Sequence, residues 1–149
     1  MRLEFSGAPE IPTSRQRVWE RLVDPRYVAL SAPGVESVEV IDPTRFRVVS
    51  GFGMGSIRAR ITIQGEMFDL VPGTSAKMRL QGQGAGSNIH VLTSIVVQDS
   101  ASGWVRLEWF SISDLAGPIA AVGGRIVEGV DRTLTEQFWA DFARRAGEE

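Results

Sequence analysis

Between residues 35 and 114 the hydrophobic pattern repeats at every second residue, which constrains this chain more than any other feature. Six strand candidates follow one another there: VESVEVI, RFRVVSG, SIRARITIQGEMFDL, SAKMRLQG, SNIHVLTSIVVQ and GWVRLEWFSIS. Turn chemistry separates them at Asp42-Pro43, Gly53 to Gly55, Pro72-Gly73, Gly84 to Gly86 and Ser100 to Gly103. Connections this short join antiparallel neighbours, because a parallel pair needs a crossover of a dozen or more residues. In the third candidate Ile57, Ala59, Ile61 and Ile63 share one face, while Arg58, Arg60, Thr62 and Gln64 share the other. The sheet therefore has one wet face and one that must be covered.

The cover lies at the C-terminal end. In LAGPIAAVGGRIVEGVDRTLTEQFWADFARRA the residues Val122, Ile126, Val130, Leu134, Phe138 and Phe142 recur at four-residue intervals, with Arg125, Glu128, Arg132 and Glu136 on another face. This predicts one amphipathic helix of about thirty residues, with Pro118 tolerated in its first turn. Gly117, Gly123, Gly124 and Gly129 weaken its first half, each interior glycine costing roughly 0.5–1 kcal/mol relative to alanine. Either close backbone packing or room left for a ligand would account for them. Upstream, Leu3 and Phe5 mark a short strand. Thr13 with Gln16 suggests a capped helix carrying Val18, Trp19, Leu22 and Val23, and Asp24-Pro25 starts a second short helix ending near Leu30.

Two glycine stretches, GFGMG at 51 to 55 and GQGAG at 82 to 86, raise the question of a phosphate cradle. Such a loop leads from a strand into a helix whose N–H groups face the anion. Both stretches lead from strand to strand, and neither continues into the Lys-Ser/Thr pair of a P-loop. They read as hairpins or bulged bends.

Composition closes off further classes. The net charge is −2, so no whole-molecule field favours nucleic acid, and the absence of cysteine removes disulfides, thiolate metal sites and cysteine nucleophiles. The N-terminus lacks the apolar run of a secretory signal, and no stretch of eighteen apolar residues is present. A cytoplasmic, single-domain protein over residues 1–149 is expected, with no transmembrane segment, metal or cofactor. His90 is the only histidine and alternates with Ile89 and Val91 on a strand, as a cavity acid or base or as a surface residue. Trp104 and Trp109 fall on opposite faces of the last strand, and parity with Val105 and Leu107 makes Trp109 the inward one. It is either core or one wall of a cavity.

A strand, two short helices, six antiparallel strands and a long terminal helix make an α+β helix-grip order, in which a curved seven-stranded sheet wraps the helix. This order resembles the START/SRPBCC superfamily of lipophilic-ligand domains. Within it LEFSGAPEIP, APGVESVEVI, GMGSIRARI, GQGAGS and above all LAGPIAAVGGRIVEGV resemble the CoxG family, named for the G subunit of carbon monoxide dehydrogenase, over essentially the whole chain. The resemblance implies an accessory protein of molybdenum-containing hydroxylases. Such a protein recruits its enzyme to the membrane or handles a lipophilic partner such as a quinone or lipid. Longer members carry a further C-terminal segment associated with membrane attachment, whereas this sequence stops at ARRAGEE, which shifts the weight from anchoring to the cavity. Work at the inner face of the membrane then means peripheral contact.

The cavity implied would be lined by inward strand residues Ile57, Ala59, Ile61, Met78, Leu80, Leu107 and Trp109 and by Val122, Gly123 and Ile126 of the helix, with Phe52 and Met54 at its mouth. Burying on the order of 300 Å² of apolar ligand at about 25 cal/mol per Å² gives roughly 7 kcal/mol gross. Association costs several kcal/mol of that, which suits a carrier. Three functions fit: a non-enzymatic carrier, a recruitment module whose cavity is merely core and whose contacts include Arg58, Arg60 and Arg79, and a cyclase- or dehydratase-like enzyme using His90.

Overall fold

The structure is a computed structural model. It describes the chain except residues 55, 56, 85, 102, 122, 123 and 149, and except the side chains of residues 52–54, 57, 59 and 121. The elements in chain order are β1 (Arg2–Gly7), β2 (Glu10–Ile11), α1 (Arg15–Leu22), α2 (Pro25–Ala29), β3 (Val35–Asp42), β4 (Arg45–Met54), β5 (Ile57–Val71), β6 (Ser75–Gly84), β7 (Ser87–Asp99), β8 (Val105–Ala116), α3 (Pro118–Ala121) and α4 (Gly124–Glu148). One antiparallel sheet runs in the order β1-β8-β7-β6-β5-β4-β3, and β2 adds a two-residue pairing to β8. The seven-stranded expectation holds, with β2 as a short extra piece. Both glycine stretches lead from strand to antiparallel strand, with Met54 paired to Ile57 and Gly84 to Ser87, and the residues at 55, 56 and 85 lie outside the described ones.

Local chemistry sets the element ends. Asp24 caps α2 as its sequence suggests, its carboxylate accepting from the Arg26 and Tyr27 N–H groups at 3.1 and 3.3 Å, with Pro25 in the first turn. For α1 the cap is Ser14 rather than Thr13: the Ser14 hydroxyl accepts from the Arg17 N–H at 3.1 Å, and Gln16 instead donates to Glu20. The C-terminal helical stretch is described as two elements, α3 and α4, and their join lies outside the described residues.

The side chains inside the sheet divide along the strands. On β8 the inward file reads Val105, Leu107, Trp109, Ser111, Ser113 and Leu115, all buried, and it changes from apolar to hydroxyl halfway. Over its apolar half lies the C-terminal half of α4. There the Trp109 ring stacks on Trp139 with centroids 6.1 Å apart, Phe138 meets Trp139 edge-on at 4.9 Å, and Phe142 meets Tyr27 edge-on at 5.1 Å. The Tyr27 hydroxyl donates to the Phe142 carbonyl at 2.9 Å, in a buried bond that ties α2 to α4. Arg145 lies over the Tyr27 ring at 4.1 Å and donates to the Tyr27 carbonyl and the Ser31 hydroxyl.

On the same inner face, Gly65 of β5 sits directly across from Phe46 of β4 and makes room for it. A Cβ there would stand 2.2 Å from the Phe46 ring, so the ring rests on bare backbone. Gly65→Ala is expected to cost about 1–3 kcal/mol by overpacking, measured by urea denaturation. Tyr27→Phe leaves the packing intact and removes one buried hydrogen bond, with an expected loss of about 1 kcal/mol in the same measurement.

Candidate ligand cavity

Away from the aromatic stack, α4 stands off the sheet and leaves a cavity of about 150 Å³. A void of that size, lined by aliphatic and aromatic side chains, accepts a single benzene-sized ring. The floor comes from Phe46, Val48 and Ser50 of β4, Ile61 and Ile63 of β5, and Met78, Leu80 and Gly82 of β6. Ile89, Val91 and Thr93 of β7 and Ser111 and Leu115 of β8 continue it, and Ala32, Pro33 and Ile119 close the ends. The roof is one stripe of α4: Val127, Val130, Asp131, Leu134, Thr135, Phe138 and Trp139. Its spacing of three and four residues keeps these side chains on one side of the helix.

Of the residues expected to line a cavity, the structure brings together Ile61, Met78 and Leu80. Leu107 and Trp109 do point inward, but they belong to the dry core: Leu107 is fully buried and Trp109 is stacked on Trp139, so neither lines the cavity. Parity distinguishes the two faces of a strand, and it says nothing about position along the strand, which here separates core from cavity.

Ile126 is a correction. It is 49% exposed, and Val127 beside it is buried and faces the cavity. A strict four-residue series turns by about 40° per step on a helix of 3.6 residues per turn, so three steps back from Phe138 have rotated by about 120°. Eleven residues back, at Val127, the rotation is only about 20°. Val122 and Gly123, and the side chains of Ile57, Ala59, Phe52 and Met54, lie outside what is described. At Gly124 and Gly129 an added Cβ would meet nothing, so neither glycine is required by close packing or by cavity space.

The sequence reading missed the polar part of the wall. Thr93 and Ser111 are buried and share a hydrogen bond of 2.7 Å, and the buried hydroxyl of Ser50 has no hydrogen-bond partner. Asp131 is the ionisable residue of the lining, and its Oδ2 is enclosed without a hydrogen-bond partner. Loss of water raises the Asp131 carboxyl above its ordinary 3.8, and the nearby hydroxyls of Ser113 and Thr135 oppose that shift. The Ser113 hydroxyl nonetheless falls short of hydrogen-bond geometry and is itself unpartnered, so its influence is a weak one. The signal for this polar end was present in the sequence, as hydroxyl residues at inward positions of β7 and β8 and as an aspartate four residues after Val127 and three before Leu134.

His90 is exposed on the outer face of β7 and is not part of the lining. Among the described residues no group of three or more His, Cys, Asp or Glu side chains could hold a metal ion, and no helix is long and apolar enough to cross a membrane. Arg58, Arg60 and Arg79 are exposed. Arg60 donates to Glu36 at 2.7 Å, while Arg79 donates to Glu66 at 3.2 Å and lies over Phe68 at 4.3 Å.

A curved antiparallel sheet gripping a C-terminal helix over an apolar cavity is the START-like fold. Solved structures share it across nearly the whole chain. A conserved protein from Geobacillus kaustophilus is similar with a TM-score of 0.85 at 20% identity, covering 98% of this chain and 96% of that one. A START superfamily protein from Mycobacterium smegmatis gives 0.69 at 10% identity, with 97% of each chain covered. The Zhui aromatase/cyclase from Streptomyces sp. R1128 gives 0.68 at 13% identity, covering 98% and 94%. No curated protein matches the sequence. The family model of CoxG, the G subunit of carbon monoxide dehydrogenase, matches residues 7–147, and the chain belongs to that family.

Because the folded Asp131 carboxyl sits above 3.8, its ionisation works against the fold. Wild-type stability relative to Asp131→Asn should therefore be highest in acid and should fall as pH rises through the raised value. Thermal denaturation of both proteins from pH 4 to pH 9 checks this, and the asparagine variant is expected to gain its lead at the alkaline end.

Proposed function

We propose that this chain binds or shuttles a lipophilic small molecule, quinone- or lipid-like, as an accessory to a molybdenum hydroxylase of the carbon monoxide dehydrogenase type. The observation that carries this reading is the apolar cavity of about 150 Å³ held between sheet and helix in a chain of the CoxG family. The volume bounds the mode of binding. It accommodates one ring and not a long chain, so a larger occupant places a ring or chain end inside while the remainder leaves through an opening or lies on a membrane. The apolar area buried is then smaller than a fully enclosed lipid would offer, and affinity is modest, as exchange with a second protein requires.

The position of His90 on the outer face takes it out of any acid–base role within the cavity. The aromatase/cyclase among the structural neighbours shares the fold at 13% identity, and a shared fold carries no shared chemistry. The ion pairs of Arg60 and Arg79 leave their side chains exposed, so a recruitment role through this face is compatible with carriage.

Native mass spectrometry of protein purified gently from its source, followed by organic extraction, tests the reading. Wild type should release a stoichiometric isoprenoid quinone or lipid. Leu80→Phe from the floor and Val130→Phe from the roof should each come off apo while remaining folded by circular dichroism. A clean apo mass for wild type, with the hydroxylase recovered equally well on wild type and both filled variants, would replace carriage by recruitment.

A further inference from the structure

The proposed carrier cavity contains a feature that apolar binding does not need. Two polar groups, one on each wall, lack partners: the Ser50 hydroxyl on β4 and Asp131 Oδ2 on α4. Unsatisfied buried polar groups are uncommon because each costs about 1–3 kcal/mol. A few convergent polar groups in an otherwise apolar cavity are how binding sites fix the orientation of a ligand. With Thr135 one turn along α4 and the Thr93–Ser111 pair across the floor, they give the cavity a polar side.

No counter-charge lines that side: the Met1 ammonium donates to the Leu115 carbonyl at 2.8 Å and the Arg132 guanidinium lies over the Phe5 ring at 5.5 Å, and neither group is part of the lining. On α4 itself Glu128 and Arg132 are exposed and pair with each other at 3.1 Å. On β8 the charged Asp114 is exposed, on β7 His90 is exposed, and on β1 Arg2 is exposed and Glu4 is its ion-pair partner at 4.0 Å. Among the described lining residues there is no lysine, arginine or histidine. An ionised Asp131 would have only the hydroxyls of Ser113 and Thr135 near it and no cation among the lining residues, whereas a neutral carboxyl has a proton to give and needs only an acceptor. An amine ligand would supply a cation, at the expense of burying two charges in a site lined mostly by hydrocarbon and otherwise only by neutral hydroxyls.

We propose that the molecule held in the cavity presents a hydrogen-bond-accepting oxygen of the carbonyl class to the neutral carboxyl of Asp131, and that this residue selects an oxygenated apolar ligand over a hydrocarbon of the same shape. The inference rests on the cavity being a binding site. Its consequence is a pH dependence: the preference is present while the carboxyl keeps its proton and is lost as pH rises through its titration. Burial pushes that titration upward, in the direction the selection requires.

Acetophenone and cumene are matched probes, one ring each and nearly equal in shape, differing in a carbonyl oxygen. Their dissociation constants can be measured by NMR titration of the whole chain at pH 5 and pH 9, in wild type, Asp131→Asn and Asp131→Leu. At pH 5 the ratio of the two constants should favour the ketone about threefold to tenfold more in wild type than in Asp131→Leu, the value of one hydrogen bond. Asp131→Asn, which keeps a donor and does not titrate, should hold its ratio at both pH values, while the wild-type ratio falls at pH 9. An unchanged ratio in Asp131→Leu overturns the inference with the cavity still binding cumene. Benzylamine, a cation at pH 5, binding wild type more tightly than acetophenone at that pH overturns it in favour of an ionised Asp131. Failure of cumene itself to bind any of the three proteins overturns the binding reading on which it rests.

Discussion

The fold depends on where its terminal helix is tied down. A single helix is narrower than a curved sheet of seven strands, so it cannot fill the concave face along its whole length. The tie is made at one end. The Tyr27 hydroxyl bonds the Phe142 carbonyl, Arg145 lies over the Tyr27 ring, and the Trp109–Trp139 stack fills the space between helix and sheet. Large flat side chains in mutual contact fill that end. Beyond Trp139 the roof residues become smaller, valine, leucine, threonine and aspartate, and the cavity begins.

The same axis orders the chemistry. The inward file of β8 passes from Val105, Leu107 and Trp109, beneath the stack, to Ser111 and Ser113, beside Asp131. A well-packed apolar core would bury these hydroxyls only at a loss, and two of the polar atoms involved have no partner. Stability has been given up at the cavity end, while the aromatic end carries the fold.

Much of this architecture was legible in the chain. Two-residue periodicity gave the strands and their faces, so Ile61, Met78, Leu80, Leu107 and Trp109 were all placed on the inner side, and Asp24-Pro25 marked the start of α2 to the residue. Position along a strand was not legible, because periodicity contains no information about how far the covering helix extends; Leu107 and Trp109 thereby joined the cavity when they belong to the core. Helix rotation was misjudged at Ile126 because a four-residue repeat drifts around the cylinder. The aspartate went unnoticed for a different reason: within a helix rich in exposed charges, one carboxylate that faces inward looks like any other until the neighbouring strand supplies its surroundings.

Trp139 belongs to both halves of the molecule: its indole stacks on Trp109 and it also lines the cavity. Its transition energy responds to the polarity of whatever lies beside it, so filling or emptying the cavity alters light emitted from within the protein. Trp104, 46% exposed just before β8, faces water in part and gives a reference outside the cavity lining. The fold thus carries an internal optical gauge of its own occupancy, placed where the rigid end meets the hollow one.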